Sequence, residues 1–171
     1  WGNSANDCNE ICDVTSSSPT VTYCDVEGGY GGTGNKDSDP CFADVNNPAG
    51  SDGVFGTLDD GLRLDSNSSP CIDTASGDAA PSADILGFGR VDVNDVNNTG
   101  IGDPNYSDIG SYESYIGIDG DGDNIQDDWE LFYGLDPTDS GDATADSDDD
   151  GLNNLGEYNN GTVPINADTD G

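Results

Sequence analysis

The amino-acid sequence predicts a mainly β chain: short coils of a solenoid over residues 1–116, then a small module of acidic loops and short helical turns over residues 117–171. Three observations carry this expectation. Short β-branched and apolar stretches recur along the first part, separated by turns rich in Gly, Asn and Asp. Two twelve-residue windows in the last part share one spacing of oxygen-bearing side chains. The whole chain sets 36 acids against 3 bases, a net charge of −33, with 25 Gly and only 32% hydrophobic residues. Self-repulsion on that scale opposes a compact state unless cations offset it.

The clearest strand candidate is Thr20–Val26, where Val21 and Tyr23 would face one way and Thr22 and Cys24 the other. The Gly-rich run 28–34 then turns the chain; without a following Lys-Ser/Thr it is not a phosphate cradle. A second short strand is expected over Leu58–Leu64, with Leu62 and Leu64 on one face, and further apolar stretches begin at Asp84 and at Asp108. Strands this short are too shallow for a sandwich. They suit a solenoid, in which each turn adds one rung. Arg90 follows one of them and is expected to pair with Asp84 or Asp108.

Five cysteines stand at 8, 12, 24, 41 and 71. No CxxC pair and no His occur, which argues against zinc. Cys41 and Cys71 each follow a Pro in similar settings, and a disulfide between them is expected. Closing a loop of that size would stabilise by about 3–4 kcal/mol in the chain-entropy model. Cys8, Cys12 and Cys24 then leave one thiol over. Sequons at Asn67, Asn97, Asn105 and Asn160 agree with an exterior location but are weak signals in an Asn-rich chain.

The acidic windows are more specific. The first runs from Asp119 through Asp121, Asp123, Ile125 and Asp127 to Glu130; the second runs from Asp146 through Asp148, Asp150, Leu152 and Asn154 to Glu157. Both place oxygen side chains at loop positions 1, 3, 5 and 9, an apolar residue at 7 and Glu at 12. That is the ligand pattern of a twelve-residue calcium loop. Calcium takes six to eight oxygens at about 2.3–2.6 Å, and alternate positions of a tight loop converge on one point. The carbonyl at position 7, here Ile125 or Leu152, adds an uncharged oxygen, and the Glu closes the site with two more. Gly151 and Asn124 occupy position 6, where the chain must bend sharply. Two calcium ions are therefore expected. Asp168 and Asp170 look like the start of a third acidic loop and are candidate ligands of a third calcium site, so the chain is expected to be a piece of a longer protein. After the first loop, Trp129–Tyr133 reads as one helical turn ended by Gly134.

Taken in order, Trp1-Gly2-Asn3-Ser4, the Thr20–Tyr30 stretch, Gly34–Phe42, Asp60–Leu64, Ser69–Asp73, Asp84–Arg90 and Asp108–Glu113 resemble the C-terminal end of right-handed parallel β-helix proteins of the choice-of-anchor, pectate-lyase-like type. The resemblance covers residues 1–116 and implies a secreted or cell-surface protein. Residues 117–171 resemble thrombospondin type 3-like calcium repeats, through the two acidic loops, Gly134-Leu135-Asp136-Pro137 and Gly161-Thr162-Val163-Pro164. In such repeats Trp129, Leu131, Phe132, Leu135, Leu155 and Tyr158 would be the apolar filling between metal sites. Asp139 and Asp142 are candidate further ligands, as are Asp168 and Asp170, though no spacing rule fixes them.

Several functions are excluded or disfavoured. Three bases cannot make a phosphate-binding patch, so nucleic acid and anionic membrane surfaces are not expected partners. No apolar run approaches the about 20 residues that span a bilayer. Without His there is no Ser/His/Asp or Cys/His arrangement. Lys36, Arg63 and Arg90 are too few to hold and deprotonate an acidic polysaccharide, and adjacent acids such as Asp59 and Asp60 do not define a catalytic carboxylate pair. The expectation is a non-enzymatic, calcium-binding, extracellular structural protein. Its favoured form is a filament or surface-array subunit that meets other copies through exposed strand edges. The alternatives are a monomeric adhesin or stalk on surface glycans, and a fragment of a polysaccharide-degrading enzyme.

Overall fold

The computed structural model describes residues 19–78 and 80–167. The chain divides into two compact units between Ser114 and Tyr115. Trp1, Cys8, Cys12, Asp168 and Asp170 lie outside the described residues.

The mainly β expectation is overturned. Among the described residues there is no β-strand; the regular elements are helix α1 (Asp127–Tyr133), a 3-10 turn (Asp142–Thr144) and helix α2 (Asn154–Asn160), all in the second unit. There is accordingly no parallel β-helix in the described part of residues 1–116. The stretches expected as strands make single bridges instead. Asp25 meets Lys36 and Ser76 meets Ile101 in parallel sense, while Phe42 meets Leu64 and Ala83 meets Gly89 in antiparallel sense.

Two local causes stop these bridges from growing. The first is backbone conformation: Tyr23, Cys41 and Asp73 sit at φ 53°, 58° and 54°, in the left-handed region, which breaks an extended run wherever it occurs. The second is competition for N–H groups. Asp39 takes the Cys41 N–H at 2.9 Å, Asp44 the Asn46 N–H at 2.9 Å and Asp52 the Val54 N–H at 2.7 Å. Asp84 takes both the Leu86 and Phe88 N–H groups, at 2.9 and 3.0 Å. A side chain that bonds the backbone two residues on offers the chain a turn in place of a ladder. The Asp content that signals turns thus outweighs the β-branched residues between them.

The interior of the first unit is Leu64, Cys71, Ile72 and Val93, with Phe42, Val96 and Ile109 packed against it. Polar groups share this interior. Asp108 is buried and accepts the Asp73 and Ser114 N–H groups, each at 2.8 Å. Arg90 pairs with Glu113 at 2.6 Å, not with the expected Asp84 or Asp108. Its side chain is 8% exposed and that of Glu113 is 0% exposed, so the pair is an internal one. The Tyr112 hydroxyl donates to Asp60, which also takes the Gly56 N–H at 2.6 Å.

The expected Cys41–Cys71 disulfide is not formed; both are free thiols, as is Cys24. Cys71 is buried in the apolar interior and its Sγ donates to Asp25 Oδ2 at 3.2 Å. Burial and the Asp25 carboxylate push this thiol up to about 12. Cys41 faces its own loop, with Sγ 3.6 Å from the Asp39 carbonyl. A Pro before each Cys is shared local chemistry, which does not bring two residues together.

Candidate metal centre

The second unit is a 27-residue motif used twice, Asp119–Glu130 recurring as Asp146–Glu157. In each copy the loop folds onto its own start. The Asp127 N–H donates to the Ile118 carbonyl at 2.9 Å, and the Asn154 N–H donates to the Ala145 carbonyl at 2.8 Å. A seven-residue helix leaves from that point, α1 after the first loop and α2 after the second. Helices of this length are marginal in water by themselves. Each ends on a glycine in the left-handed region, Gly134 at φ 78° and Gly161 at φ 71°. The next N–H returns to the position-12 carbonyl, from Leu135 to Glu130 at 2.8 Å and from Thr162 to Glu157 at 3.1 Å. Ile125 and Ala143 are buried between these pieces. Trp129 packs on Tyr133 at 4.7 Å and edge-on to Tyr158 at 5.3 Å, joining α1 to α2. Phe132, expected as filling, is exposed.

Inside each loop the backbone aims the acids. Asp119 accepts the N–H groups of Gly122 and Asn124 at 2.8 and 3.2 Å, and Asp123 accepts that of Ile125 at 2.8 Å. In the second loop Asp146 accepts the N–H groups of Asp150 and Gly151 at 3.2 and 2.9 Å, and Asp150 accepts that of Leu152 at 2.9 Å. Position 6 takes the sharp bend in both copies, Asn124 at φ 75° and Gly151 at φ 104°. Asp119 and Asp146 accept on both oxygens, whereas Asp121, Asp123 and Asp148 accept through Oδ1. Asp121 Oδ2, Asp123 Oδ2 and Asp148 Oδ2 are buried with no hydrogen-bond partner.

Three groups of carboxylates result, each with oxygens within 4.8 Å of one another: Asp119, Asp121 and Asp123; Asp123, Glu130 and Asp142; and Asp146, Asp148 and Asp150. Oxygens bound to one calcium at the usual lengths lie at most about 5 Å apart, so these groups fit a cation between them. Such clusters also occur on solvated surfaces; the position-12 glutamates distinguish this one. Glu130 and Glu157 are fully buried, and both oxygens of each lack a hydrogen-bond partner. A buried carboxylate in that condition is costly unless protonated or paired. Burial, and then repulsion from Asp123, Asp142, Asp121 and Asp127, together push Glu130 up to about 8. Glu157 is raised by burial and then by repulsion from Asp148, Asp150 and Asp146 of its own loop. Several acidic groups here can therefore hold a metal ion.

The predicted ligands do not all behave alike. Asp127 at position 9 of the first loop is buried, and its Oδ1 takes the Gly120 N–H at 2.6 Å, bracing the loop. Asn154 at the equivalent place is fully buried with Oδ1 unpartnered. The Ile125 side chain is packed inside and Leu152 is half-buried. Asp142 is the ligand candidate that loop spacing does not specify. It is one of three acids between the loops, and only the contacts separate it from the others. Asp136 is engaged with the N–H and hydroxyl of Thr138 at 3.1 and 2.7 Å, and Asp139 with the Gly141 N–H at 3.1 Å. Asp142 keeps one buried oxygen free of hydrogen bonds.

Neither a family model, nor a curated protein, nor a solved structure matches the chain.

Proposed function

We propose that residues 115–171 are a calcium-binding module and that the protein is a non-enzymatic, extracellular structural protein whose second unit is ordered by the ions. One observation carries the reading: Glu130 and Glu157, at position 12 of two loops of identical spacing, are fully buried against other acids with no hydrogen-bond partner. The metal is argued from donor chemistry. Every candidate ligand is an oxygen, and His is absent from the chain. All-oxygen sets select magnesium, calcium or manganese over zinc and copper. Crowded carboxylates on a flexible loop suit calcium, whereas magnesium demands octahedral geometry and keeps its waters. An extracellular placement would supply the millimolar calcium that loops of the weaker kind need.

The non-enzymatic part rests on what the bases are doing. Of the three in the chain, Arg90 is committed to Glu113. A filament reading loses its original support, because the described residues present no strand edge on which copies would stack. Among them, no helix is long and apolar enough to cross a membrane.

Isothermal titration of the metal-free chain with calcium, and separately with magnesium, tests the proposal. Two calcium ions per chain and a rise in melting temperature are expected. Each site at a hundred times its dissociation constant adds about 2.7 kcal/mol. Absence of both heat and stabilisation at millimolar calcium would end this reading. Magnesium binding as tightly as calcium would remove the metal assignment.

A further inference from the structure

One residue outside both loops touches the machinery of each. Asp142 opens the 3-10 turn between α1 and α2. Its carboxylate Oδ2 accepts the Asp136 N–H at 2.8 Å, while Oδ1 is buried without a hydrogen-bond partner and the carboxylate groups with Asp123 and Glu130 of the first loop. The main-chain carbonyl of the same residue accepts Nδ2 of Asn154 at 2.9 Å. Asn154 is position 9 of the second loop. Its amide is planar, so holding Nδ2 also sets the direction of Oδ1. That oxygen is buried and has no hydrogen-bond partner. The carbonyl of Ala145, the residue that caps the same turn, receives the Asn154 N–H at 2.8 Å, so Asn154 is held through both its main chain and its side chain.

We infer that Asp142 is a ligand of the first calcium site supplied from outside its loop, and that it couples this site to the second by orienting Asn154. The inference rests on the calcium-binding reading above. Without a cation, Asp123, Glu130 and Asp142 repel one another, and the cheapest relief is for Asp142 to swing out. That swing also gives up the Asp136 N–H bond, which braces the turn carrying the carbonyl that Asn154 uses. An ion in the first site holds Asp142 in place, so the second site is partly assembled before its own ion arrives. Less ordering remains to be done on binding, and affinity rises. Linkage makes the effect mutual: an ion in the second site must strengthen the first by the same factor.

The two sites can be read separately. The Asn124 N–H bonds to Asp119 in the first loop, and the Gly151 N–H bonds to Asp146 in the second. Their amide resonances therefore report the filling of each site as calcium is added to the full chain. In the wild type both should respond over the same calcium range. Asp142→Ala removes the carboxylate and keeps the main-chain carbonyl. It should shift the Asn124 response at least about tenfold to higher calcium and the Gly151 response by about fivefold or more, within the usual span of coupling between sites. Glu157→Gln should shift the Asn124 response in the same direction. Asp142→Asn, which keeps size and one oxygen, should show the same pattern with smaller shifts and serves if the alanine variant does not fold. A Gly151 response that stays put while Asn124 moves would mean independent sites, overturning the coupling and leaving calcium binding intact. If neither response moves in Asp142→Ala, Asp142 is not a ligand. If neither amide responds to calcium in the wild type, the calcium reading itself fails.

Discussion

The two units use the same residue type in opposite ways. In the first, many acids are hydrogen-bond acceptors for the chain's own donors; Asp73, buried with both oxygens unpartnered, is the exception. Asp59 takes the N–H and hydroxyl of Ser51, each at 2.6 Å, and the Thr57 hydroxyl at 2.8 Å. Those hydroxyl bonds hold its carboxyl well below the usual carboxylate range. Glu113 has Arg90, and Asp108 has two N–H groups. In the second unit, Glu130 and Glu157 have none. An acid that closes a turn stabilises the fold as it stands. An acid buried facing other acids destabilises it until something positive arrives. The sign of a carboxylate's contribution is set by what its oxygens touch, not by its charge.

Stripping calcium with a chelator should separate the units most sharply. Protection of the Ile125, Glu130 and Asn154 amides from hydrogen exchange should collapse, by roughly 5 kcal/mol if both sites were well saturated. Protection at Ile72 and Val93 should hold. Equal loss in both units would dissolve the distinction. Next in size, Arg90→Met leaves Glu113 buried without its cation. Breaking one partner of a buried pair costs about 3–5 kcal/mol. Thermal unfolding should register this loss equally with and without calcium, since no cation loop is touched.

Acid titration sharpens the same contrast. Glu130 is pushed up to about 8 by burial from an ordinary value near 4.5. Between those values the folded, metal-free unit binds a proton that the unfolded chain has lost, so its stability falls as pH rises. Saturating calcium should abolish that slope, because protons and metal compete for the same oxygens. Asp108 is pushed up to about 8 by burial and then by Glu113. The first unit should therefore also lose stability from near pH 4 to pH 8, but calcium should leave that curve alone. Residue-resolved exchange at several pH values, with and without calcium, decides it. The smallest effect is Gly134→Ala. A side chain at φ 78° costs about 1–2 kcal/mol, and the loss should appear only in the second unit.

The cation loops were legible because their information is local. Six ligand positions within twelve residues, a bend at position 6 and a glycine ending each helix are written at fixed offsets along one short segment. The β reading of Thr20–Val26 and Leu58–Leu64 failed for a related reason. Side-chain alternation says which residues suit a sheet, but a strand needs a neighbour, and here the single bridges are flanked by left-handed residues such as Tyr23 and Cys41 and by carboxylates that take backbone N–H groups. The Cys41–Cys71 bridge failed likewise, since a shared Pro-Cys context carries no distance.

By itself the sequence determined the charge, the oxygen-only donor set, the two loops and the short helices after them, all through spacing within a few residues. Only the tertiary structure decided that Glu113 answers Arg90, that Asp142 joins Asp123 and Glu130, and that Cys71 faces Asp25. Those pairings link residues far apart in the chain, and which acid meets which partner depends on how the intervening turns close.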